Sequence, residues 1–140
     1  MPKLIIILPL LFILTACDRA ISQVVINDQT VAVEVAVTPD EQYQGLSDRE
    51  NLCADCGLLF VVTANSRPDF VMRNMNFPLD FIWINDDIIV DITAQAQPEG
   101  EATKAIYQAS LPVDYVLEIN GGQAEVWGWQ IGERVKLKYD

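Results

Sequence analysis

Between Val24 and Val37 the apolar residues fall on alternate positions: Val31, Val33, Val35 and Val37 are separated by Ala32, Glu34 and Ala36. Side chains of an extended chain point to opposite faces in turn, so β-branched residues at this period mark a half-buried strand. Val24 and Ile26 come just before, and Asn27-Asp28-Gln29 between the two runs is a turn signal, so a hairpin is expected. Short apolar runs recur at 58–62, 70–72, 79–84, 88–93, 115–119 and 135–139, with Asn85-Asp86-Asp87 as a further turn. Phe81-Ile82-Trp83-Ile84 is apolar on both faces, which marks a central strand. So many short strands at this spacing predict a mostly-β domain, a compact jelly-roll-like sandwich or an open barrel with one or two short helices. Thr38-Pro39-Asp40-Glu41 starts one helix, with a cap, a proline and acids in the first turn, and Gly45 ends it. A second helical turn is expected over 123–127, closed by Gly128. Residues 63–69, which hold Pro68, read as a loop, and 94–104 as an exposed, mobile one.

The N-terminus carries an address. Lys3 precedes an apolar run of eleven residues, 4–14. That is short of the roughly 20 residues a spanning helix needs, and it has the length of a signal-peptide core. Pro9 interrupts the run, which ends in Leu14-Thr15-Ala16-Cys17. This ending resembles the lipobox of bacterial lipoproteins, whose cysteine thiol takes the lipid. The alternatives are an ordinary secretory signal with a chance cysteine, or an uncleaved anchor. The expected organisation is a signal peptide over 1–16, a lipidated N-terminus and tether over 17–23, and one β-rich domain over 24–140. The bilayer, met through acylated Cys17, is then the expected partner. Asp18 resembles a retention signal and points to the periplasmic face of the inner membrane.

Cleavage would leave 8 Lys and Arg against 20 Asp and Glu, a net charge of −12. Such acidity opposes approach to nucleic acid and to bulk anionic lipid. Three cations, Arg134, Lys136 and Lys138, share one face of the last strand. They read as edge-strand protection against aggregation, with contact to anionic lipid as the alternative.

With Cys17 committed to lipid, Cys53 and Cys56 remain as a CxxC pair. A local disulfide is the leading expectation for an exported protein, although so small a loop gains only about 2 kcal/mol of stability. A metal site is disfavoured because the chain has no second cysteine pair and no histidine. A thioredoxin-like redox pair would want a βαβ context, which the strand pattern does not suggest.

Several short motifs then follow in one order and spacing: Gly45-Leu46 with Arg49, Gly57-Leu58-Leu59-Phe60, Phe70-Val71-Met72-Arg73-Asn74, and Pro78-Leu79-Asp80. Tyr115-Val116-Leu117-Glu118 and Gly132 with Val135 complete the set. Together they resemble the prokaryotic family known as domain of unknown function 192, over about residues 30–138. The resemblance implies a compact jelly-roll-like fold, often behind a signal peptide, and carries no activity with it. The chain departs from the family at Val71, where a tryptophan is usual, at Met75 in place of a threonine, and at Ser47 in place of a methionine. The CxxC is likewise not a usual family feature.

Without histidine, a Ser-His-Asp triad, a Cys-His dyad and a His-ligated metal are all excluded. Carboxylates lead the remaining acid–base candidates, with Lys104 and tyrosines behind them. Asp80 stands first, at the mouth of the strand after Pro78, where Arg49, Arg73 or backbone N–H groups could hold it. Its bland role is to tie the Arg73-Asn74 loop to the sheet. Glu118 sits amid Val116, Leu117 and Ile119 and would need a partner if buried. Trp83 reads as core, while Trp127 and Trp129 read as core or rim, with sugar stacking as the alternative. No metal or cofactor is expected. Two functions remain open. One is a non-catalytic, membrane-tethered binding or accessory module whose ligand or protein partner meets Arg49, Arg73, Asn74, Asp80 and Glu118. The other is an envelope hydrolase or carbohydrate-active enzyme pairing Asp80 with Glu118 or another acid.

Overall fold

The computed structural model describes residues 22–138, so the lipobox and Cys17 lie outside the described residues. β1 (Ser22–Ile26) and β2 (Gln29–Ala36) form the expected hairpin. Asn27 takes φ 53° in its turn, a conformation its short side chain tolerates. Val24, Ile26, Val31 and Val33 are all buried against one another's face. The first strand starts at Ser22, two residues earlier than its apolar pattern suggests, because Ser22 and Gln23 pair with Val33 and Ala32.

α1 (Pro39–Gln44) follows with a full capping box. The Glu41 N–H donates to Thr38 Oγ1 at 3.3 Å, and the Thr38 N–H donates back to the Glu41 carboxylate at 2.9 Å. No residue of α1 is buried. The helix is instead held on β3 (Cys56–Ser66), where Gln42 Nε2 donates to the Val61 carbonyl at 2.6 Å.

β3 runs parallel to β2, so β2–α1–β3 is a crossover unit. A βαβ-type connection was not anticipated, because the helix is short and the long segment 45–55 hides the relation between the two strands. Five further elements follow: β4 (Leu79–Asn85), β5 (Ile88–Ala96), β6 (Val113–Asn120), α2 (Gln123–Val126) and β7 (Val135–Lys138). Among the described residues the seven strands form one sheet in the order β5-β4-β6-β3-β2-β1-β7. The sheet curls until its outer strands meet: the Val135 N–H donates to the Asp87 carbonyl at 2.7 Å, and the Ile89 N–H to the Glu133 carbonyl at 3.0 Å. The fold is therefore the open-barrel alternative, a half-barrel, and not two packed sheets.

Two cores flank this one sheet. Inside the curl lie Leu59, Ile82, Ile84, Ile89, Leu117 and Ile119 with the β1–β2 valines, closed by Ala124 and Trp129. On the outer face Leu58, Phe60, Phe81, Trp83 and Val116 are covered by the irregular segments that bring Leu46, Phe70, Met72 and Met75. β4 contributes to both, as its unbroken apolar run requires. Phe70 sits at the centre of the outer core, its ring 4.8 Å from Phe60, 5.6 Å from Phe81 and 5.3 Å from Trp83.

Three local expectations need correction. Residues 70–72 are not a strand: Phe70 and Met72 point inward with Val71 out, but Phe70 makes a single bridge, to Tyr107. β3 continues to Ser66, through part of the stretch read as loop. β5 likewise continues to Ala96. The segment after β5 is tied down: the Glu99 carboxylate accepts from the N–H groups of Lys104 and Ala105 at 2.7 and 2.8 Å, and the Glu99 N–H donates to the Met72 carbonyl at 3.0 Å.

Candidate functional site

Asp80 lies on β4 opposite Ile119 and is fully buried on the inner side of the sheet. Its Oδ1 accepts from the Gln95 N–H at 2.7 Å and the Gly122 N–H at 2.8 Å, and Oδ2 accepts from the Ala124 N–H at 2.9 Å. The carboxylate thus joins the end of β5 to the start of α2. Gly122 is at φ 85°, which glycine adopts without steric cost and which turns its N–H toward Asp80. The expected link between Asp80 and the Arg73-Asn74 loop is not the one made. No arginine takes part, and backbone groups supply all three bonds.

Glu118 is opposite Phe81 and Leu58, on the outer face. Partners across a ladder share a face and neighbours along a strand alternate, so Asp80 and Glu118 project from opposite sides of the sheet. They cannot flank one substrate bond, so an enzyme that pairs Asp80 with Glu118 fails on this geometry.

Glu118 is nonetheless unusual. Only 5% of it is exposed, and its Oε2 has no hydrogen-bond partner. Burial among apolar neighbours pushes its pKa up to about 8, with Arg49 pulling weakly the other way. Arg49 directs its own hydrogen bonds elsewhere, to Glu34 on β2: Nη1 to Oε1 at 2.7 Å and Nη2 to Oε2 at 2.8 Å. That bidentate contact raises the Arg49 pKa, and burial opposes it. Glu34 pairs with Leu58, which pairs with Glu118, so the two acids stand in one row across the sheet with the guanidinium of a covering loop reaching between strands. Asn76 fixes that loop by donating to the Arg49 carbonyl at 2.8 Å. Sequence reasoning missed Glu34. The signal was present, because an acid on the side of β2 that carries Ala36 should have called for a cation.

The remaining candidates adjoin the Arg49 loop through backbone groups, the Asp48 N–H donating to the Asn74 carbonyl at 2.8 Å and Ser47 Oγ to the Arg73 carbonyl at 2.9 Å, while their side chains turn elsewhere. Arg73 lies over the Tyr43 ring at 4.1 Å and donates to the Tyr43 carbonyl at 3.1 Å. Asn74 takes φ 53° at the adjoining turn, and its N–H donates to the Gly100 carbonyl at 3.2 Å. Arg49, Arg73, Asn74, Asp80 and Glu118 therefore do not form one cluster. The structure brings together Arg49 and Glu118 and adds Glu34. Trp83 is core, bonded through Nε1 to Thr93 Oγ1 at 3.0 Å, and Trp129 is buried with Trp127 tilted against it at 4.8 Å.

Cys53 and Cys56 are joined as a disulfide, with Cα atoms 5.1 Å apart. Asp55 completes a compact Cys-Asp-Cys group. With both sulfurs in the bond one carboxylate is left, which is not a metal-ligand set. Asn120 secures this loop from β6, donating through Nδ2 to the carbonyls of Leu52 at 3.1 Å and Cys53 at 3.0 Å.

A curled seven-stranded half-barrel with its outer face under long loops, a buried aspartate stapling β5 to α2, and a glutamate held under an arginine loop defines a class of small mostly-β domain. The profile of the DUF192 family, described as an uncharacterized ACR, matches residues 22–137, and the chain belongs to that family. Two solved structures are similar to it. One is a candidate transcription regulator from Sinorhizobium meliloti 1021, 31% identical, covering 83% of this chain and 91% of that one with a TM-score of 0.74. The other is a protein of unknown function from Novosphingobium aromaticivorans DSM 12444, 32% identical, covering 83% of each chain, also with a TM-score of 0.74. Among curated proteins no match is found.

Proposed function

We propose that the protein is a lipid-anchored envelope module that binds a ligand or a protein partner and carries no hydrolytic machinery. The observation behind the second half is the division of its buried acids. Asp80 is saturated by three backbone N–H groups, and Glu118 lies across the sheet from it. The anchor rests on the sequence alone, on Lys3, the apolar run and the lipobox ending at Cys17. Direct binding to nucleic acid finds no support in a chain of net charge −11. The binding site belongs at Arg49 and Glu118. There an acceptor group of the ligand competes with Glu34 for the Arg49 guanidinium, whose side chain is 36% exposed, with Glu118 buried nearby. A thermal-shift screen of envelope metabolites and cell-wall fragments tests this. Hits should lose their shift in Arg49→Ala and Glu118→Gln, and hits indifferent to both variants would place the site elsewhere.

A further inference from the structure

The CxxC loop and the Glu118 backbone are near neighbours across β3 and β6. Cys56 precedes Leu58 by two residues on the same face of β3, and Leu58 is directly opposite Glu118. Cys56 and Glu118 are thus diagonal neighbours, at roughly 7–8 Å between backbones in an antiparallel pair. Asn120, two residues beyond Glu118 on that face, holds the Leu52 and Cys53 carbonyls.

The disulfide is not what shapes its loop. The Cys56 N–H donates to the Cys53 carbonyl at 3.2 Å, and the Ala32 N–H donates to the Asp55 carbonyl at 2.9 Å. β3 is already paired to β2 at Cys56. With both ends fixed by hydrogen bonds, and a loop too small to gain much from cross-linking, the bond is structurally redundant. Cys53 is exposed and Cys56 is half-buried, so the two sulfurs differ in access.

We propose that Cys53–Cys56 is a thiol–disulfide exchange site for a partner dithiol, with Cys53 the attacked sulfur, Cys56 the leaving sulfur and Glu118 the proton donor to Cys56. The partner's thiolate attacks Cys53 Sγ. The sulfur–sulfur bond breaks with its electron pair going to Cys56 Sγ, which takes the proton of the Glu118 carboxyl. The partner's second thiol loses its proton to solvent and attacks the partner sulfur of the mixed disulfide, and the Glu118 carboxylate takes back a proton from solvent. Cys53 leaves as a thiolate and is protonated from solvent. Two electrons pass from the dithiol, which becomes a disulfide, to the cysteine pair, which becomes a dithiol.

A proton donor matters here because the Asp55 carboxylate lies within 4.8 Å of both sulfurs and opposes a free thiolate. The other groups around Glu118 do not supply one. Leu58 and Phe81 flank it, Arg49 is committed to Glu34, and Asn120 bonds the cysteine loop. This inference goes beyond the binding role and stands whether or not Cys17 is acylated.

The test is reduction of the purified full-length protein by excess reduced glutathione from pH 6.5 to 9.5, read by alkylation and mass spectrometry, with circular dichroism on the product. Below pH 8 wild type should react faster than Glu118→Gln on the order of tenfold, the low end for one hydrogen bond to a charged group. Its rate should stop rising near the Glu118 pKa of about 8, where the donor loses its proton. In a separate arm with oxidised glutathione, Cys56→Ser should form a mixed disulfide at Cys53, releasing one reduced glutathione. The proposal is overturned if the disulfide resists glutathione, if reduction unfolds the domain, or if the wild-type rate climbs through pH 8 without a break. The last reading needs no variant to fold.

Discussion

Exchanging one oxygen of Asp80 for an amide changes an environment built entirely of donors. In Asp80→Asn one oxygen can still accept from Gln95 and Gly122, but an NH2 group then faces the Ala124 N–H. A lost charge-assisted bond with a donor left opposed costs about 1–3 kcal/mol. The urea midpoint should fall by the corresponding amount at unchanged m-value, because the exposed surface is the same. An Asp80→Asn protein of wild-type stability would contradict the anchoring role. Glu118 behaves oppositely. Its folded pKa of about 8 lies above the usual 4.5, so between those values the folded protein keeps a proton that the unfolded chain has lost. Stability therefore falls as pH rises across that window and levels above it. Glu118→Gln should flatten the dependence and be the more stable protein at pH 9, by on the order of a few kcal/mol. Denaturant titrations at pH 5, 7 and 9 measure it, and a wild-type curve flat across the three would refute the raised pKa.

At the scale of elements, β3 shows what the sequence could and could not say. The hairpin, the capped start of α1 and the two-faced β4 were legible because each is set by neighbours in sequence. The parallel β2–β3 pairing was not, since it depends on contacts more than twenty residues apart. The apolar run Phe70-Val71-Met72 suggested a strand, but it could not show that only one residue of the segment would find a ladder partner. The polar site was half legible. Arg49 and Glu118 stood out as residue types needing partners, whereas Asp80 was grouped with them because strand faces cannot be compared before register is known. Gly57 marks where that register is enforced. A Cβ there would meet the Glu118 carbonyl oxygen at 2.7 Å and Leu117 Cδ1 at 2.9 Å. Backbone offers no easy retreat, so Gly57→Ala should strain the β3–β6 pair and destabilise by about 1–3 kcal/mol. Hydrogen exchange should quicken in those two strands first, and unchanged protection there would show that the pair can separate at little cost.

At the scale of the whole molecule, the proposed lipid anchor would bring a strongly acidic domain to a membrane surface. Five steps of chain join Cys17 to Ser22, and fully extended they reach at most about 18 Å. If Cys17 is acylated the domain must lie against its bilayer, despite a mature net charge of −12 that repels anionic headgroups. The sheet eases this conflict locally, because Gln23 pairs with Lys138 and Val25 with Lys136, so two lysines stand beside the first strand. Arg134 is neutralised separately by Asp87 at 2.6 Å. Stable anchoring needs more than one acyl chain, at about 0.8 kcal/mol per buried methylene, which lipidation of the bacterial type supplies. Cys17→Ser should therefore leave the precursor uncut, abolish acyl labelling and shift the intact mass accordingly. Asp18, beside the headgroups, is expected to disfavour extraction to the outer membrane, although Arg19 next to it offsets part of that charge by roughly 1 kcal/mol in water. Density-gradient separation should place wild type with the inner membrane and move Asp18→Ser toward the outer one. Wild type found in the outer-membrane fraction would defeat the retention reading whatever the variant did, while leaving the lipid anchor intact.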